Sequence, residues 1–172
     1  MPAQPPNNPS QTDPERTPGQ AFTRLRTLVF QTPPETFGLS RSVDYPLVWG
    51  ALMELGYPET VASLICFADG TTSLVFSTGG GMVGGARHSA VAAAARAFVE
   101  SAENHLERMG PTDINPLPLA GRARFYLLTY EGIFTTEADV LALEREDHPL
   151  TALYFSGQAV IAELRRIQED HR

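Results

Sequence analysis

The spacing of apolar positions changes several times along this chain, and each change marks an element. Leu47, Val48, Ala51, Leu52 and Leu55 recur at intervals of three and four. That period predicts a helix over 47–55, with Asp44 as N-cap, Pro46 in the first turn and Gly56 at the end. Residues 61–68 and 71–77 then predict two strands joined by Asp69-Gly70, a pair suited to a tight turn with positive φ. Val61, Ile65 and Phe67 point to one side of the first strand, Leu64 and Cys66 to the other. Neither side is polar, so helices are expected on both faces of this sheet.

Five glycines between 79 and 85 surround Met82 and Val83. A helix follows over about 89–109, with a stripe of Val91, Ala95, Phe98, Val99, Ala102 and Leu106. Gly110-Pro111 ends it, and Pro116 and Pro118 mark an irregular connection. Residues 122–130 predict a third strand, and Glu131-Gly132 turns it into a short fourth over 133–136. An acidic stretch, 139–147, has room for a helical turn. His148-Pro149 then opens a last helix lined by Leu150, Leu153, Tyr154, Ile161, Leu164 and Ile167.

Residues 1–20 carry six prolines and almost no large apolar side chain, too little to offset the entropy of ordering them. Residues 1–41 are accordingly expected to be a disordered or extended arm. Within it, Phe22, Leu25, Leu28, Val29 and Phe30 suggest a docking strand or a short helix laid on the domain, broken by Pro33-Pro34. Residues 42–172 are expected to form a single α/β domain of the α+β type. The order α-β-β-α-β-β-α implies three layers, a mainly antiparallel sheet covered by helices.

Composition narrows the chemistry. The 172 residues carry a net charge of −7, and all 13 basic residues are arginine. Such usage fits a GC-rich, bacterial genome. A chain without lysine has no Schiff-base nucleophile, pyridoxal anchor or phosphate-binding P-loop lysine. The acidic balance and the lack of a dense basic stripe argue against nucleic acid as a partner. Neither a signal peptide nor an apolar run of membrane-spanning length is visible, so no membrane association and a cytoplasmic location are expected.

Few residues suggest a site. Gly79, Gly81 and Gly84 fit GxGxxG, and with Gly85 they make a candidate anion-binding loop. The strand before them is the return arm of a hairpin, however, and Glu100 and Glu103 fall inside a helix where a dinucleotide site wants an acid at a strand end. A flexible crossover or a glycine-softened third strand is the better reading. Cys66, the one cysteine, has only His88 and Asp69 as conceivable base and orienter. Its place mid-strand between Ala62 and Ala68 predicts a buried, inert thiol. His105, His148 and His171 show no ligand spacing, so no metal, cofactor or catalytic residue is assigned. Glu100, Glu103 and Glu107 near Arg96 and Arg108 are expected to be a solvated helix face. Arg122 and Arg124 beside Tyr126 and Tyr130 predict a sheet edge or a subunit contact.

The first helix, the hairpin with Ala68-Asp69-Gly70, the alanine-rich helix and the closing strands and helix together resemble the Roadblock family, small three-layer domains related in shape to profilin. The resemblance spans residues 44–168 by topology. It implies a non-catalytic, homodimeric platform that regulates a Ras-like small GTPase. The interface would lie on the central helix (Ala90, Ala93, Ala94, Ala97) and on the strand of Arg122, Arg124 and Tyr126. The family's fifth strand before the last helix is replaced here by the acidic segment 144–147, and the connection 110–121 is longer. The acidic charge is similar to that of class I secretion chaperones, which bind an extended effector segment. A third possibility, a small-ligand sensor, requires a cavity within the sheet–helix layer near Trp49, Phe76 and Phe98.

Overall fold

A computed structural model describes residues 18–83 and 87–172. Its centre is a seven-stranded sheet, antiparallel at every pairing, with four helices around it. In chain order the elements are α1 (Pro18–Gln31), β1 (Val48–Gly56), β2 (Val61–Phe67), β3 (Thr72–Phe76) and β4 (Gly81–Val83). There follow α2 (Ser89–Asn104), β5 (Gly110–Thr112), β6 (Arg122–Thr129), β7 (Gly132–Asp139), α3 (Val140–Glu144) and α4 (Thr151–Asp170). Across the sheet the strands lie in the order β4-β3-β2-β1-β6-β7-β5.

The expected helix over 47–55 is instead the strand β1, near the middle of the sheet. All nine of its residues are buried. Ala51, Met53 and Leu55 enter the core on one side, while Trp49 and Leu52 enter the core on the other. A strand covered on both faces has no polar face and therefore no alternation to read. Pairing with β2 from Gly50↔Phe67 to Gly56↔Val61, and with β6 on the other edge, decides the conformation. Asp44, the expected N-cap, lies instead in a bend, where Ser42 Oγ accepts the Tyr45 N–H.

The arm also changes. Residues 1–17 lie outside the described residues, but 18–41 belong to the domain. Of the two forms expected for Phe22–Phe30 the chain takes the helix, and α1 buries Phe22 and Val29. A 3-10 turn at Pro34–Phe37 and the buried Leu39 continue the same layer. Together they cover Trp49, Leu52, Ile65, Phe67, Tyr126 and Leu128.

The opposite face carries the larger core, capped by α2 and α4. α2 comes close to the sheet because its inner positions are small: a Cβ at Gly70, where φ is +94°, would lie 2.9 Å from Ala92. The helix ends at Asn104, short of the expected 109, and a 3-10 turn occupies Leu106–Arg108. β7 runs from Gly132 to Asp139, three residues beyond the expected strand, and the acidic segment contains α3, whose Leu141 N–H is capped by Asp139. β5 has no counterpart in the sequence reading, being three residues long with a proline. Both edge strands are short, and Pro111 removes a donor from β5, a combination that discourages edge-to-edge pairing.

Candidate functional site

The outward sides of α2 and α4 form one surface. The ring of His88, just before α2, lies 6.3 Å from that of His171, just after α4. At mid-helix, a Cβ on Gly157 would meet Phe98 at 3.3 Å. The two helices thus run antiparallel, side by side. α2 buries Val91, Ala92, Ala95, Phe98, Val99 and Ala102. It leaves Ala90, Ala93 and Ala97 exposed and Ala94 half-buried. The neighbouring helix α4 exposes Ala159 and Phe155, the latter 43% accessible. Two of the polar neighbours are committed elsewhere. Arg96 donates to the Asp69 carbonyl at 2.9 Å and Glu103 accepts the Leu47 N–H at 2.9 Å, so the expected solvated acid–base ladder on this helix serves partly to hold loops.

The second half of the expected interface lies elsewhere. Arg122, Arg124 and Tyr126 do not sit on a sheet edge, because β6 is flanked by β1 and β7. Tyr126 is fully buried under α1, and its hydroxyl donates to the Pro116 carbonyl. Arg122 and Arg124 both reach Glu137 of β7, at 2.9 and 3.0 Å. The hydrogen bond from Arg122, helped by the charge of Arg124, holds the Glu137 carboxyl below its ordinary range against the effect of partial burial. Tyr126 therefore cannot meet a partner, and the two arginines are engaged within the sheet.

This face also contains the most buried charge among the described residues, Glu54 on β1. Its Oε1 accepts from Arg26 Nε and from Ser63 Oγ, both at 2.7 Å, and its Oε2 accepts from Arg26 Nη2 at 3.0 Å. Arg26 comes from α1, donates also to the Asn115 carbonyl and lies over the Phe30 ring at 5.2 Å. A bidentate arginine in so dry a setting fixes both position and orientation. The cluster fastens α1 and the proline-rich connection to the sheet. Burial, and next the charge of Glu54, push the Tyr126 phenol up to about 12. The sequence held one signal for this cluster: Glu54 is the only charged residue in Val48–Gly56.

The other candidates separate. Gly79, Gly80 and Gly81 all have positive φ and turn β3 into β4, with the Gly79 N–H bonded to the Phe76 carbonyl. The glycine-softened strand is thus β4; Gly84 and Gly85 lie outside the described residues. Gly79 and Gly81 point to a hairpin turn, not to the start of α2. Cys66 is fully buried, and burial pushes its thiol pKa up, whereas His88 is exposed. Asp69 accepts the Thr71 N–H within its own turn. Among the described residues no group of three or more His, Cys, Asp or Glu is placed to hold a metal, and no helix is long and apolar enough to cross a membrane.

Of the elements expected from sequence, the hairpin, the alanine-rich helix and the closing strands and helix are present, while the expected first helix is β1. No known protein family, curated protein or solved structure matches the chain.

Proposed function

We propose that this domain is a non-catalytic interaction module that pairs with a second copy of itself through the outer face of α2 and α4, and that the pair serves as a platform for a further protein. The observation that carries the reading is the exposure of Ala90, Ala93 and Ala97 on α2 together with that of Phe155 and Ala159 on the adjoining α4. One face of α2 suffices to cover the sheet, so these small residues serve no purpose in the monomer's core. Small side chains let two helices approach closely, and Phe155 supplies the larger apolar contact that alanines lack. A face that complements itself meets the needs of a two-fold dimer with a single surface. The two short edge strands turn association away from the sheet edges and toward the helical layer.

The dimer should bury on the order of a thousand Å² in total. Light scattering of the full chain at micromolar concentration is expected to give twice the chain mass, and Ala97→Arg a folded monomer, because an unpaired charge would enter the contact. A monomeric wild type, or an unchanged dimer in Ala97→Arg, overturns the reading. The resemblance to Roadblock domains points to a Ras-like small GTPase as the further partner. Titrating such a GTPase, loaded with GDP or with a non-hydrolysable GTP analogue, against the wild type and Ala97→Arg tests that part separately.

A further inference from the structure

A half-open, mainly apolar pocket lies between the β2–β3–β4 end of the sheet and the C-terminal half of α4, away from the proposed dimer contact. Its volume is about 170 Å³, and Ala62, Leu74 and Phe76 form its floor. Met82 and Leu164 wall it, and Arg165 stands at the rim. Protein interiors seldom leave such space unfilled. Here the sequence keeps it open. Ala62 is the smallest side chain that an apolar strand position can carry, and Gly81 can carry none: its φ is +144°, and a Cβ would run into the Leu74 carbonyl. Arg165 is exposed and makes no ion pair or hydrogen bond among the described residues, in contrast to Arg166 beside it, which pairs with Glu163 at 3.1 Å.

We infer that this pocket is a binding site for a small monocarboxylate with a compact apolar body of one aromatic ring or about six carbons. The volume sets the body, since a dry cavity of about 150 Å³ accommodates benzene. The lining sets its character, since Ala62, Leu74, Phe76, Met82, Ile161 and Leu164 are apolar and only Gln168 joins Arg165 as a polar side chain. Arg165 sets the head group: a guanidinium offers two parallel N–H donors that match a carboxylate. In a chain of net charge −7 an unpaired arginine at the mouth of an apolar pocket is the local feature that favours an anion there. The sequence suggests a cavity near Trp49, Phe76 and Phe98; of these Phe76 lines the pocket, Trp49 lies across the sheet and Phe98 is buried in the core.

Phenylacetate is the probe, titrated into the full chain and followed by calorimetry and ligand-observed NMR. Saturable binding at one site per chain is expected. The neutral isostere phenylacetamide should bind about tenfold more weakly, the loss of one charge-assisted contact at a partly solvated rim. Ala62→Leu fills the floor and should abolish binding while the protein still unfolds cooperatively. Arg165→Gln changes an exposed side chain, leaves the fold intact and should remove the preference for the acid over the amide. Ala97→Arg should bind phenylacetate like the wild type, so failure of the dimer leaves this site standing. The inference is overturned if phenylacetate does not saturate, if the amide binds equally well, or if a folded Ala62→Leu binds like the wild type.

Discussion

Glu54 shows how one residue can decide where an element sits. A carboxylate with no exposure has lost its hydration, and only close, complete pairing offsets that loss. Both oxygens are satisfied by Arg26 and Ser63. Glu54→Gln leaves Arg26, itself only 11% exposed, without a counter-charge, and is expected to cost about 3–5 kcal/mol in urea unfolding. Arg26→Met strands Glu54 in the same way. The double variant Arg26→Met with Glu54→Leu should be less destabilised than either single variant, because no unpaired charge remains; equal or additive losses would contradict this account. Tyr126 gives a second test at the same scale. Its phenol is raised from 10.0 to about 12, so the folded state holds the proton more tightly than the unfolded one. The associated stability is fully present below pH 10 and is lost as the pH rises from there to about 12. Tyr126→Phe should flatten that alkaline decline while lowering stability at neutral pH by about 1 kcal/mol through the lost bond to Pro116. A decline of unchanged steepness between pH 10 and 12 would place its origin in other groups.

At the scale of elements, the chain was most legible where one side of an element meets solvent. α2 displayed its buried stripe, from Val91 to Ala102, because its other side is exposed. The β2–β3 hairpin was legible through Asp69-Gly70 and two short apolar runs. β1 was not, since burial on both faces erases period two and leaves a run that also fits a helix. Gly56 shows the consequence. Taken as a helix end, its role is backbone freedom; in the sheet, a Cβ there would collide with the carbonyl of Leu119. The Gly56 carbonyl accepts the Gly121 N–H at 2.9 Å, which lays the proline-rich connection against the end of β1. Gly56→Ala should therefore cost about 1–3 kcal/mol in urea unfolding, a penalty of overpacking against rigid backbone. A helix-ending glycine without positive φ would tolerate alanine, so a neutral result would refute the close-approach explanation. The pocket was illegible for a related reason. Ala62, Gly81 and Arg165 come from three separate segments, and only the β2–β3–β4 pairing and the course of α4 bring them together.

At the scale of the whole molecule, one sheet divides two unequal cores. Among the described residues the core cluster on the α2–α4 side holds 24 buried residues, and the cluster on the α1 side holds 8. The smaller core is closed by α1, the 3-10 turn and Leu39, all of which precede β1 in the chain and lie outside the sheet's hydrogen-bonded ladder. Elements with less burial and no ladder bonds open at lower free energy than central strands. The α1 layer should therefore detach before the sheet and the α2–α4 layer unfold. The only tryptophan makes this measurable. Trp49 is 4% exposed in the smaller core, with Phe37 at 6.1 Å and Phe67 at 5.7 Å between ring centroids, and its indole donates to the Thr129 carbonyl. Its fluorescence senses the α1 layer, whereas far-ultraviolet circular dichroism senses all the helices and strands. In a urea titration the fluorescence midpoint is expected to come first, and amides of α1 should exchange with deuterium faster than those of β1 and β6. Glu54→Gln should widen the gap between the two midpoints, because the Arg26 pair ties α1 to the sheet. Coincident midpoints in both proteins, with equal protection of α1 and β1, would mean that the two cores form a single cooperative unit despite their difference in size.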